Sequence, residues 1–163
     1  MFAARRLVSA APRALGRRSM AEVASGAGDR LKLSLVLPHE GIYQSKDVVQ
    51  VNLSAESGDL GVLANHVPSI EALKPGVLEV IEGSANESKK WFVSGGFANI
   101  HPNNTLTINA VEAYPLDQFS PEAIRSGLAE AQRVANGSGT EEEKAEAAIE
   151  VQVYESLQAA LKA

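Results

Sequence analysis

The chain has 163 residues, 45 % of them hydrophobic and none of them cysteine. That suits one globular domain with a small appendage, and it excludes disulfides, thiolate metal sites and cysteine nucleophiles. Five of the 15 Lys and Arg residues are arginines within the first twenty positions, and no acid precedes Glu22. The body beyond Met20 therefore carries ten bases against 20 acids, a net charge of −10, which argues against nucleic acid as a partner because phosphates would be repelled.

Residues 1–20, MFAARRLVSAAPRALGRRSM, read as a mitochondrial presequence: arginine-rich, acid-free, and able to form a transient helix with Phe2, Leu7, Val8 and Leu15 on an apolar side. A secretory signal needs an unbroken apolar stretch, which Arg13 interrupts. The other reading is a basic tail for acidic partners. Cleavage is expected between Arg18 and Ala21, leaving 21–30 as a short extension. No later segment approaches the ~20 apolar residues that span a bilayer, so the mature protein is expected to be soluble and unable to carry ions across a membrane by itself.

From 31 to 115 hydrophobic residues alternate. Leu31, Leu33, Leu35 and Leu37 share a phase, followed by Val49, Val51 and Leu53, then Leu78 with Val80, Trp91 with Val93, and Leu106 with Ile108 and Ala110. A period of two indicates half-buried strands. Turn signals separate them at Pro38–Gly41, Gly58–Gly61, Pro75-Gly76, Gly83–Ser88, Gly95-Gly96 and Pro102–Asn104. With no helical segment in between, the pattern predicts an antiparallel β-sandwich of about ten short strands, since parallel winding would need crossover helices. Gly58 and Gly61 read as brackets of a tight turn that presents Asp59 and Leu60 outward. Pro75-Gly76 reads as a type II turn, and Gly95-Gly96 as a sharp reversal or bulge.

The period changes after Pro115, and 116–163 reads as an α-helical hairpin. Ser120 is a good N-cap, Pro121 a good first helical residue, and Ile124, Leu128, Ala131 and Ala135 recur at helical spacing. Asn136–Gly139 breaks the helix. Thr140 with Glu143 forms a capping box for a second helix, whose expected stripe is Ala145, Ile149, Val153, Leu157 and Leu161.

Chemistry is hard to find. His39, His66 and His101 are widely spaced and lie near turns; a metal site assembled by folding, as in a cupin-like barrel enzyme, is not excluded by spacing alone, yet no strand pairs a histidine closely with another ligand. No glycine-rich stretch ends in Gly-Lys-Ser/Thr, and Ser94-Gly95-Gly96 lacks the frame of a nucleophile elbow. Glu141–Glu143 is a solvated helix start. No catalytic residue, cofactor or metal is expected.

Three ordered motifs resemble a known family. Gly58–Leu63, then His66-Val67-Pro68, then Leu73–Gly76 with Leu78 resemble the core motif of the ATP synthase delta/epsilon subunits; Phe92–Phe97 resembles its second signature, and Glu112–Leu116 its exit toward the helices. The likeness runs over about 31–162. It implies a non-catalytic rotor subunit of the proton-driven ATP synthase, peripheral to the matrix side of the mitochondrial inner membrane. The implied partners are the gamma subunit, the c ring and the small mitochondrial epsilon subunit. The implied interface comprises Glu56, Gly58, Asp59, Leu60, His66 and Pro68, with 56–60 meeting the c-ring loops. For Asp59 the alternative is a simple turn former, and for His66 a strand end satisfied by backbone hydrogen bonds. Some bacterial members bind ATP through an aspartate and an arginine at the start of the first helix. Ser120 and Ala123 stand there instead, and Arg125 is expected on another face, so nucleotide binding and a nucleotide-sensing role are not expected.

Overall fold

The computed structural model describes residues 30–83 and 87–162; the expected presequence and most of the extension lie outside them, as does part of the turn after Gly83. Ten strands run β1 (Leu31–Val36), β2 (Gly41–Val48), β3 (Gln50–Ala55), β4 (Gly58–Leu63), β5 (Ser69–Leu73), β6 (Gly76–Ile81), β7 (Ser88–Val93), β8 (Gly96–His101), β9 (Thr105–Ala110) and β10 (Ala113–Pro115). A 3₁₀ turn (Leu116–Gln118) leads into α1 (Pro121–Ala135) and α2 (Glu141–Ala160).

Hydrogen-bonded neighbours follow the order β10-β7-β6-β3-β5-β8-β9-β1-β2, with β4 on the other edge of β3. The link between β3 and β5 is a single pair, Ala55 with Leu73. It is a corner, and it divides the strands into two five-stranded layers: β10, β7, β6, β3 and β4 in one, β5, β8, β9, β1 and β2 in the other. The alternation supplies the filling. Leu31, Leu33, Leu35, Val51, Val62, Leu78, Val80, Leu106 and Ile108 are almost fully buried between the layers, each worth roughly 1.5–3 kcal/mol relative to exposure.

Five local expectations are corrected. The sandwich is not purely antiparallel, because β1 and β9 pair in parallel from Lys32↔Thr105 to Val36↔Asn109. No crossover helix is needed, since the whole sandwich intervenes between them. Val49 does not continue the buried series: it is half-buried between β2 and β3, and Val48 takes the core position. Gly76 is not the left-handed corner of a type II turn but the first residue of β6. Its lack of a side chain serves packing, since a Cβ there would sit 2.8 Å from the Ser54 Cβ. Fourth, the Gly58–Gly61 segment is strand β4 rather than a turn.

Fifth, at Gly95-Gly96 the chain bends without the expected reversal: β7 and β8 run on in one register against β10 and β9, the Ser94 N–H donating to the Glu112 carbonyl and the Val111 N–H to the Gly95 carbonyl, with φ of +154° and +143° at the two glycines. At Gly96 a Cβ would come 2.1 Å from the Asn109 carbonyl oxygen, so both conformation and space require glycine.

The helices form where the caps predict. The Ser120 hydroxyl accepts from the Ala123 N–H, Pro121 occupies the first turn, and Thr140 and Glu143 complete the capping box. The hairpin packs on the outer face of β6 and β7 through Phe92, Ile124 and Leu157, with Leu116, Phe119, Val153, Tyr154 and Leu161 around them. Phe92 meets Phe119 edge-on at 5.7 Å, and Ser156 donates to the Pro75 carbonyl at 2.7 Å. Trp91 and Phe92 thus face opposite ways: one toward the sandwich core, the other toward the helices.

On α2 the predicted stripe fails at its start. Ala145 is exposed and Ile149 is 64 % exposed, while Ala147 and Leu157 are buried. A strict four-residue spacing drifts about 40° around the helix per step, so a series anchored at Leu157 and read backward leaves the contact face.

Candidate functional site

The segment that the sequence singles out begins at the β3–β4 hairpin. Ala55 pairs with Gly58, so the connection is the two residues Glu56 and Ser57, and Gly58 carries a φ of +134° that a side chain would disfavour. Two bonds tie the tip to β5. The Glu56 N–H donates to the Ala72 carbonyl at 2.9 Å, and the Ser57 hydroxyl donates to Glu71 at 2.7 Å.

Asp59 and Leu60 do not sit together at that tip. They lie on β4 and point to opposite faces, as strand neighbours must. The Asp59 side chain is 82 % exposed, with Lys74 Nζ 3.9 Å away as its cation. Leu60 turns inward and packs on the core. The outward presentation expected of Leu60 is therefore corrected by the strand register, which leaves its side chain half-buried.

His66 and Pro68 lie beyond the far end of β4, five strand steps or about 17 Å from Gly58. The six candidate residues thus form two clusters rather than one. The His66 N–H donates to the Leu63 carbonyl at 3.3 Å, and its Nδ1 lies 2.8 Å from the Val67 carbonyl oxygen, as in the reading of a satisfied strand end. Pro68 is exposed and Val67 is 74 % exposed.

Between the clusters runs a surface that the sequence reading missed. On the outer side of the second layer, Ala72, Phe97, Asn109 and Val36 lie in register across four strands, with Ile70, Asn99, Thr107 and Ser34 as the next row. None of these eight is charged. Phe97 is 60 % and Ile70 72 % exposed, and both occupy positions where the alternation calls for polar residues. The available signal was that out-of-phase apolar residue.

Glu82, at the exit of β6, organises another cluster. Its carboxylate meets Lys46 Nζ at 2.8 Å and Lys89 Nζ at 3.0 Å, and accepts from the Tyr43 hydroxyl at 3.1 Å. The Lys46 and Lys89 ammonium groups hold its pKa down at about 2, whereas burial and the Glu82 carboxylate push the Tyr43 phenol up. Because Tyr43 and Lys46 belong to β2 and Lys89 to β7, this hub clamps an open side of the sandwich. It is a structural device, with every charge opposed.

Among the described residues no group of three or more His, Cys, Asp or Glu converges to hold a metal. An open groove of about 780 Å³ lies between sandwich and hairpin, lined by Ser88, Lys89, Lys90 and Asp117 as well as by Trp91 and Leu161. At the start of α1, Ser120 is engaged in capping, and Arg125 borders a small cavity with Gln158 and Lys162 that no acidic side chain lines.

Comparison with known proteins supplies the family. The family model described as ATP synthase, Delta/Epsilon chain, beta-sandwich domain matches residues 30–115, which is more than half of the chain. The chain belongs to the ATP synthase delta/epsilon family. A second family model, for the C-terminal domain of the fungal epsilon subunit of F1F0-ATP synthase, matches 119–159; the gap between the two coincides with the 3₁₀ turn. The mitochondrial ATP synthase subunit delta of Agaricus bisporus is 60 % identical over 99 % of both chains, and that of Neurospora crassa is 57 % identical over 91 % of this chain and 87 % of its own. A chain in the Euglena gracilis mitochondrial ATP synthase, in a structure of its OSCP, F1 and c-ring parts, superposes with a TM-score of 0.76 at 30 % identity, covering 85 % of this chain and 87 % of the other. This family member is a subunit of the mitochondrial ATP synthase, and the delta/epsilon fold of sandwich plus helical pair is the one described above.

Proposed function

We propose that this subunit is a non-catalytic part of the central stalk, fastening the gamma subunit to the c ring on the matrix side of the inner membrane. In that place it would pass torque from the proton-driven ring to gamma, whose rotation drives catalytic sites elsewhere. One observation carries the reading: the chain aligns along nearly its whole length with mitochondrial delta subunits and superposes on a chain of a c-ring-bearing F1 assembly.

The geometry adds support. The pinned Glu56–Ser57 tip with Gly58 and exposed Asp59 is a rigid projection suited to the polar c-ring loops. Asp59 supplies charge there, worth no more than ~1 kcal/mol as an exposed pair. The uncharged rows around Phe97 and Ile70, bordered by His66 and Pro68, suit a broad protein face and are assigned to gamma, because apolar contacts yield most of the binding energy in such interfaces. The mitochondrial epsilon subunit is the third expected partner.

The test is purification of the assembled synthase from mitochondria that carry a tagged copy of this chain. Gamma and c should co-purify in fixed proportion, and Asp59→Lys should weaken proton-coupled synthesis while the sandwich stays folded. A chain recovered without gamma or c, or one with a substrate turnover of its own, would refute the assignment.

A further inference from the structure

The Asn136–Gly139 break between the helices, which the stalk reading does not use, carries chemistry of its own. Of the eight asparagines in the chain, Asn136 alone precedes a glycine. That step sets an electrophile beside an unhindered nucleophile. The main-chain nitrogen of the following residue can attack the side-chain amide carbon, and glycine places no Cβ across the path. Asn136, Gly137, Ser138 and Gly139 are all exposed, so water reaches the reacting atoms.

The same asparagine closes α1. Neither Gly137 nor Gly139 takes the positive φ of a left-handed helix ending, so other donors satisfy the last carbonyls. The Gln132 carbonyl accepts from the Asn136 N–H at 3.1 Å and from its side-chain Nδ2 at 2.8 Å. The Val134 carbonyl accepts from the Gly137 N–H at 3.0 Å. Electrophile and nucleophile are thus both tied to the helix, each to a different carbonyl. Ring closure between them requires both ties to break, so it proceeds only when the last turn of α1 opens.

We propose that Asn136 is a self-modification site, deamidated at a rate set by the opening of the last turn of α1. In the open turn the Gly137 nitrogen gives its proton to solvent base and bonds to the Asn136 side-chain carbonyl carbon. The bond from that carbon to Nδ2 breaks, Nδ2 takes a proton and leaves as ammonia, and a cyclic succinimide remains. Water then opens the ring at either carbonyl, leaving aspartate or isoaspartate, with no oxidant or other reactant. Either product is a carboxylate, which cannot donate to the Gln132 carbonyl and lies at the negative end of the α1 dipole. Isoaspartate also lengthens the main chain by one carbon. The conversion therefore removes the cap that slowed it, and the joint between the helices loosens in one direction only.

The experiment incubates the full chain in mildly alkaline buffer, either folded or unfolded in guanidinium chloride, and follows each asparagine by mass spectrometry of its peptide. Isoaspartate is scored separately, by enzymatic methyl transfer from S-adenosylmethionine. Asn136 should convert before any other asparagine. It should convert roughly ten- to a hundredfold more slowly folded than unfolded, the difference that two hydrogen bonds make. Gln132→Gly changes an exposed residue of that turn and leaves the reacting pair intact. It should speed conversion about two- to fivefold in the folded chain and leave the unfolded rate unchanged. Converted protein should show faster amide exchange in the last turn of α1, with the sandwich unaltered. Equal folded and unfolded rates, a Gln132→Gly chain that converts no faster when folded, or a folded Asn136 that stays intact while the unfolded one converts would each overturn the inference. None of these outcomes bears on the stalk role, which rests on other residues.

Discussion

Replacing Glu82 with Gln keeps the shape of the side chain and removes the charge that holds Lys46 and Lys89 against Tyr43. A carboxyl pKa lowered from 4.5 to about 2 corresponds at face value to ~3.4 kcal/mol, at 1.36 kcal/mol per unit. The lysine side chains are 46 % and 58 % exposed, so water screens both pairs and the contribution expected in solution is ~1–2 kcal/mol. Its pH dependence has a definite sign. The folded-state pKa lies below the unfolded one, so the stabilisation is complete above about pH 4.5 and is lost as pH falls toward 2. Urea unfolding of the isolated subunit should show Glu82→Gln less stable than wild type by that amount at neutral pH. The two curves should converge in acid, and high salt should shrink the difference. A variant as stable as wild type at neutral pH, or a difference that persists unchanged below the folded pKa, would show that the hub does not clamp the sandwich electrostatically.

Three further substitutions probe other links. Phe92→Ala removes a 4 % exposed ring from the joint between sandwich and hairpin and should cost ~3–5 kcal/mol, seen in far-UV circular dichroism as a helical transition that separates from that of the sandwich. Gly96→Ala forces a Cβ against the Asn109 carbonyl at a positive φ and should cost roughly 4 kcal/mol or more; recovery of normal amounts of folded protein would contradict the geometry. Thr140→Ala breaks the capping box and should cost ~1 kcal/mol, read as faster amide exchange confined to the first turn of α2.

Much of this architecture was legible in the sequence because two periods, two and 3.6, are imposed by burial. The leucines of β1 and the Leu106–Ala110 series announce their core face directly, and Ser120 and Thr140 mark both helix starts. What was not legible depends on partners in space. The pairing of β1 with β9 leaves no local trace. Glycines were ambiguous: Gly61 and Gly76 read as turn formers but lie in strands, and Gly127, which opens room for the Tyr154 ring against α1, carries no turn signal at all. The candidate site was legible as a segment and not as a surface. Reading Asp59 and Leu60 as a tip placed both outward, whereas strand register must set them on opposite faces. Phe97 and Ile70 escaped notice because an apolar residue on an outer face has meaning only when its neighbours across the sheet are known.

The parallel pairing of the first strand with the ninth also bears on how the subunit comes to exist. Lys32 finds its place beside Thr105, so the second layer cannot close until nearly all of the sandwich sequence is available. A chain emerging gradually, from a ribosome or through a membrane pore, must hold its opening leucine-rich strand without a permanent neighbour on one flank. Contacts of such long sequence separation slow folding and leave sticky surface uncovered meanwhile. Assembly of the finished subunit is therefore tied to the arrival of residues close to its carboxyl-terminal helices, and a truncation before β9 should leave a chain that chaperones retain rather than a smaller working domain.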